Sequence, residues 1–140
     1  MSPTLILYPL FAMMLLVSIV VTLLWSLRNH AIRSRKVSIK YYRDYSGDGE
    51  PEYNRVVSRH YSNLFEMPVL FYVAVMIAYV TQHVTAWMVG YAWAYVLSRY
   101  MHSYVHLTSN NVVLRFLVFL FSALILLAMW TDLLVMLLKG

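Results

Sequence analysis

The stretch R-H-Y-S-N-L-F-E-M-P-V-L-F-Y-V-A-V-M-I-A-Y-V, running from Arg59 to Val80, decides the fold. Everything from Met67 to Val80 could sit in lipid. Just ahead of that apolar run the chain places Arg59, Asn63 and Glu66 at spacings of four and three. On a helix, positions i, i+4 and i+7 share one face. A carboxylate on the first turns of a membrane segment is expensive unless paired, so Glu66 marks a candidate functional site.

Composition sets the solvent. Of 140 residues, 61% are hydrophobic and only 12% are charged. A soluble domain is typically about half apolar and a quarter charged. So few charges cannot cover a water-facing surface, and the bilayer must surround most of the chain. With no cysteine there is no disulfide frame, thiolate nucleophile or cysteine metal site. A formal net charge of +5 would suit nucleic acid, but its distribution speaks for topology instead.

The pattern predicts an all-α integral membrane protein, a single domain over residues 1–140 built as an antiparallel bundle of four transmembrane helices. The helices are expected at about residues 4–27, 51–81, 87–106 and 112–138. The first lacks a basic leader and a small-residue cleavage site, so it reads as a retained helix rather than a signal peptide. Arg28 to Pro51 is polar and carries the turn signal Ser46-Gly47-Asp48-Gly49. Short connections thereafter favour antiparallel neighbours.

Eight of the eleven Lys and Arg residues lie between Arg28 and Arg59, and the connection Thr81 to Ala86 has none. The positive-inside rule then puts the first loop in the cytoplasm and both termini on the opposite side. A basic loop of this kind also touches anionic lipid or attracts an anionic substrate.

Two further cations should resist the bilayer. At 1.5 Å per residue, Arg99 lies roughly 10 Å from its cytoplasmic helix end and Arg115 roughly 5 Å. Arg115 can snorkel to the interface; from the depth of Arg99 that is strained. Arg99, His102, Ser103 and His106 fall at i, i+3, i+4 and i+7, a polar stripe on an otherwise apolar and aromatic helix. Pairing Glu66 with Arg99 or Arg115 would relieve the cost of both charges. Pro68 is expected to bend the second helix beside Glu66. His102 and His106, with Glu66 as a third ligand, could hold a metal, but imidazoles bonded to their neighbours are the simpler expectation, and no metal is expected. The aromatic residues read as interface belt and helix packing.

These residues resemble the MAPEG family, the membrane-associated proteins of eicosanoid and glutathione metabolism, in a bacterial-type form. The second-helix pattern R-x-x-x-N-x-x-E with a nearby Pro is met by Arg59, Asn63, Glu66 and Pro68. The third-helix pattern of Arg, then His and a small hydroxyl residue, is met by Arg99, His102 and Ser103. The resemblance implies a homotrimer that binds glutathione, as co-substrate, between subunits near the cytoplasmic leaflet. It assigns glutathione contacts to Arg33, Arg59, Asn63, Glu66, Arg99 and His102, with His106 on the same stripe, and makes Arg115 the catalytic residue that stabilises the thiolate. The expected partners are further copies of the chain, membrane lipids and a small hydrophobic substrate; no nucleic acid is expected.

Two functional readings follow. In the first, the protein is a glutathione-dependent transferase or peroxidase acting on hydrophobic electrophiles or lipid hydroperoxides. In the second, it is a non-catalytic member, binding lipid or serving as an accessory subunit. His106 stands where eicosanoid-synthesising members place a Tyr, and Phe116 and Phe119 stand where some carry Ser and Tyr. Leu64 replaces the Asp of one subgroup, and Ser62 an Arg that often precedes the Asn. Those departures favour the second reading.

Overall fold

A computed structural model describes residues 2–46 and 49–139. The chain enters through a 3-10 turn, Pro3–Ile6, and continues as α1 (Leu7–Arg33). A single turn, α2 (Tyr41–Asp44), interrupts the first connection, followed by α3 (Glu52–Asn63), α4 (Met67–Val80), α5 (Ala86–Leu107) and α6 (Val112–Lys139). No strand occurs among the described residues. Half of the turn signal, residues 47 and 48, lies outside them.

Each helix end has a local cause. Helix α1 runs past Leu27 to Arg33, because the change from apolar to polar side chains marks the end of the lipid and not of the helix. It stops at Arg35, which takes a left-handed conformation (φ 55°) while the Lys36 amide bonds back to the Ala31 carbonyl at 3.0 Å. Helix α5 begins at Thr85, whose hydroxyl accepts from the Met88 amide at 3.1 Å. It ends as Asn110, also left-handed, donates its amide to the Val105 carbonyl at 2.8 Å. Asn111 then caps α6 by accepting from the Leu114 amide at 3.0 Å. The tight turn leaves α5 and α6 packed side by side.

The expected single helix over 51–81 is two helices. Pro68 lacks an amide hydrogen, and its ring crowds the carbonyl of Leu64. The consequence is a break rather than a bend: α3 ends at Asn63, and Glu66 sits at φ −96°, ψ −93° ahead of α4. Glu66 therefore does not continue the face that carries Arg59 and Asn63.

The core divides along the bundle. At one end Met13, Leu16 and Val20 of α1 meet Phe71, Ala74 and Ala78 of α4, Ala92 and Tyr95 of α5, and Met129 and Leu133 of α6. Their spacing of three and four presents one stripe from each helix. Phe71 and Tyr95 stack with ring centroids 4.6 Å apart. Tyr100 crosses to α1 and donates its hydroxyl to the Ala12 carbonyl at 2.8 Å. The other sides of α1 and α6 expose Phe11, Trp25, Phe121, Leu124 and Leu127. A surface so apolar fits lipid, where close packing and dispersion hold helices together. Among the described residues three segments are long and apolar enough to cross a membrane: Pro3–Arg33, Glu52–Val80 and Val112–Lys139.

At the other end the core turns polar. Arg28 near the end of α1 donates Nε to the Glu50 carboxylate at 3.1 Å and Nη2 to the Ser58 hydroxyl at 3.0 Å. Its guanidinium lies 5.0 Å from the centre of the Tyr42 ring. Asn54 donates to the Leu27 carbonyl at 3.3 Å. This cluster pins the first connection and α3 to α1, and α3 in turn closes over α5.

Candidate functional site

The site is assembled where α3, the second half of α5 and the first turns of α6 meet. Helix α5 supplies the polar stripe. Arg99, His102, Ser103 and His106 are all buried, as their helical spacing requires, and Arg99 is only 1% exposed. Ser103 turns its hydroxyl inward to the Arg99 carbonyl at 2.9 Å. The Arg99 guanidinium is not satisfied: its Nε and Nη1 are buried without a hydrogen-bond partner. A buried cation in that condition calls for an anion.

Helix α3 contributes His60, which is fully buried against the two α5 imidazoles. Its ring centre lies 4.9 Å from that of His106 and 6.0 Å from that of His102, and those two are 5.8 Å apart. All six ring nitrogens are buried and unpartnered. Among the described residues no group of three or more His, Cys, Asp or Glu side chains is arranged to hold a metal ion. With Arg99 and Arg115 nearby, a cation would also meet like charge.

A cleft of about 230 Å³ opens beside the imidazoles, lined by Asn63, His102, Val112, Arg115, Phe116 and Phe119. One wall is polar, and the other is aromatic, with Phe116 and Phe119 exposed on α6. Arg115 is half-buried, and its Nη1 donates to the Asn110 side-chain oxygen. A guanidinium has five N–H donors, so this bond fixes the head and leaves donors to spare.

The structure thus brings Asn63, Arg99, His102, His106 and Arg115 together. Arg59 and Glu66 lie at the margin, exposed on the outer side of α3 and at the α3–α4 break. Neither expected partner reaches Glu66: the ion pairs among the described residues are Arg28 with Glu50 and His83 with Asp132. Arg33, at the last position of α1, is exposed. His60 was not anticipated, although Val57, His60 and Leu64 form a buried stripe at spacings of three and four that the sequence does carry.

The MAPEG family model matches residues 10–135, nearly the whole chain. The chain belongs to the MAPEG family. No curated protein and no solved structure matches it significantly. Membership and the three apolar segments together make this a membrane protein.

Proposed function

We propose that this MAPEG protein is a glutathione-dependent membrane transferase or peroxidase. The observation that carries the reading is the unsatisfied, buried Arg99 guanidinium, one helical turn along α5 from His102, which lines a cleft together with Asn63 and Arg115. Glutathione is anionic and rich in hydrogen-bond acceptors, which suits such a cluster. In this reading four helices cross the bilayer, α5 included, and the first loop faces the cytoplasm with both termini opposite. Three copies assemble, and a neighbour covers the exposed Arg59 and Glu66. Glu66 and Arg59 hold the peptide from the rim, Arg99, Asn63, His102 and His106 from within, and Arg33 from the end of α1.

A thiol has a pKa of about 8.5, and a neighbouring cation lowers it. An Arg does not serve as a base at neutral pH, so Arg115 acts by holding the thiolate once the proton has left to water. The thiolate then attacks an electrophilic carbon, forming the S–C bond as the leaving group departs. On a hydroperoxide it attacks the distal oxygen instead. The O–O bond breaks to release an alcohol, and a second glutathione converts the sulfenic product to disulfide and water. The aromatic wall of Phe116 and Phe119 faces the lipid from which such substrates come.

The test is conjugation and peroxidase activity of the purified protein alongside Glu66→Ala and Arg115→Ala, with particle mass measured in detergent. Activity lost in both variants with the oligomer intact supports the proposal; full activity in both contradicts the residue roles. The three packed, unpartnered imidazoles favour a second reading, a non-catalytic member whose polar cluster specifies assembly. There the same substitutions would dissociate or unfold the oligomer, whether or not glutathione is present.

A further inference from the structure

The first connection carries a second concentration of positive charge, away from the arginine–histidine cluster. Between residues 35 and 46 the chain folds around a cleft of about 520 Å³. Arg35, Lys36, Val37, Ser38, Lys40, Tyr41, Asp44 and Ser46 line it. Three of these are cations and three carry hydroxyls. The acid among them is engaged locally: the Asp44 carboxylate accepts from the Ser46 hydroxyl at 2.7 Å and from its amide at 3.1 Å. Among the described residues none of the three cations forms an ion pair.

The cleft is shaped rather than accidental. Left-handed backbone at Arg35 (φ 55°) and Tyr45 (φ 56°) turns the chain at either end. Val37 is buried and anchors the middle. Tyr41, Tyr42 and Tyr45 pack edge to face, with centroids 5.3 to 6.4 Å apart. Beside all this positive charge the loop leaves Ile39 71% and Tyr45 60% exposed.

Position decides what would use such a surface. The membrane-capable segment Pro3–Arg33 ends six residues past Leu27, where its long apolar run stops. The loop therefore begins roughly 9 Å further along the helix, within reach of bilayer headgroups. Basic side chains at that level are drawn to anionic lipid, and exposed apolar and tyrosine side chains are at home at the acyl–headgroup boundary. A ligand dissolved in water would engage the cations and leave Ile39 wet.

We propose that this cleft binds the phosphate-bearing headgroup of an anionic phospholipid, with Arg35, Lys36 and Lys40 around the phosphate and Ile39 and Tyr45 entering the membrane beside it. The site is independent of glutathione and of Arg115. Its volume lies within the range of small-molecule pockets, about 300 to 1,000 Å³. Bound lipid would fix the first loop, and through the Arg28–Glu50 pair on its flank, the start of α3.

The experiment uses the full-length protein in neutral detergent and measures binding by thermal shift. The probes are short-chain phosphatidylglycerol, short-chain phosphatidylcholine and glycerol 3-phosphate. The variant Arg35→Ala/Lys36→Ala/Lys40→Ala is compared with Arg33→Ala/Arg43→Ala/Arg55→Ala, which removes equal charge outside the cleft. Expected is stabilisation by phosphatidylglycerol alone, weakened on the order of 100-fold in the first variant and far less in the second. Ile39→Ser should also weaken it. Equal stabilisation by both lipids, or equal loss in both triple variants, would overturn the proposal. Saturating stabilisation by glycerol 3-phosphate would overturn the lipid assignment in favour of a soluble phosphate ligand. Should the first triple variant not fold, Lys40→Gln and Ile39→Ser, singly and together, carry the same comparison.

Discussion

Removing Arg28 should damage the protein much more than removing Glu50, although the two form one ion pair. The pair spans 3.1 Å, but burial is unequal: the Arg28 side chain is 30% exposed and that of Glu50 only 3%. In Arg28→Ala the carboxylate stays buried, keeping a long hydrogen bond from the Ser58 hydroxyl at 3.4 Å and the neighbouring Tyr42 phenol but no cation. Stranding a buried charge costs about 3–5 kcal/mol. In Glu50→Ala the guanidinium keeps water, the Ser58 hydroxyl at 3.0 Å and the Tyr42 ring face. That loss is about 1–2 kcal/mol, screened as exposed pairs are. The gap of about 2 kcal/mol corresponds to roughly a 30-fold difference in the folding equilibrium. Denaturation in mild detergent, followed by tryptophan fluorescence, reads the order of midpoints. The double variant Arg28→Ala/Glu50→Ala should be more stable than Arg28→Ala alone, because no charge is then stranded. Equal damage from the two single variants, or a double variant below Arg28→Ala, would refute the reasoning.

Other outcomes follow from the same geometry. Burial, and after it the Glu50 carboxylate, pushes the Tyr42 phenol up to about 12, from 10.0 in the unfolded chain. The folded state therefore holds this proton longer, so its contribution is complete below pH 10 and is lost between pH 10 and about 12. Tyr42→Phe should flatten the alkaline loss of stability over that window in a pH-dependent melt. Thr85→Ala removes the cap of the Met88 amide and should cost about 1 kcal/mol, read from the same denaturation curves. Pro68→Ala should let the break between α3 and α4 close by a hydrogen bond to the Leu64 carbonyl, slowing amide exchange at residues 67–69.

Much of this architecture is written in short-range pattern. The stripe at Arg99, His102, Ser103 and His106 follows from helical spacing alone, and all four side chains are buried together. The partners of that stripe are a different matter. Glu66 sits at a helix break whose geometry depends on how completely Pro68 interrupts the hydrogen-bond ladder, and periodicity does not encode that. The contact of His60 with the α5 imidazoles needs the tilt of α3 over α5, which Asn54 and the Arg28–Glu50 cluster fix from a distance. Arg28 and Glu50 are 22 positions apart with a turn between them, so no local rule joins them. Helix ends were legible where a cap residue stands, as at Thr85. They were not where polarity changes inside a continuing helix, as at Arg28.

The most direct test of the central claim is thermal stability of detergent-purified protein with and without millimolar glutathione, read beside ultraviolet thiolate absorbance. A glutathione site at this cluster would give stabilisation together with a thiolate signal that disappears in Arg115→Ala. No stabilisation and no thiolate in the unsubstituted protein would contradict it, and would leave the polar cluster as part of a non-catalytic scaffold.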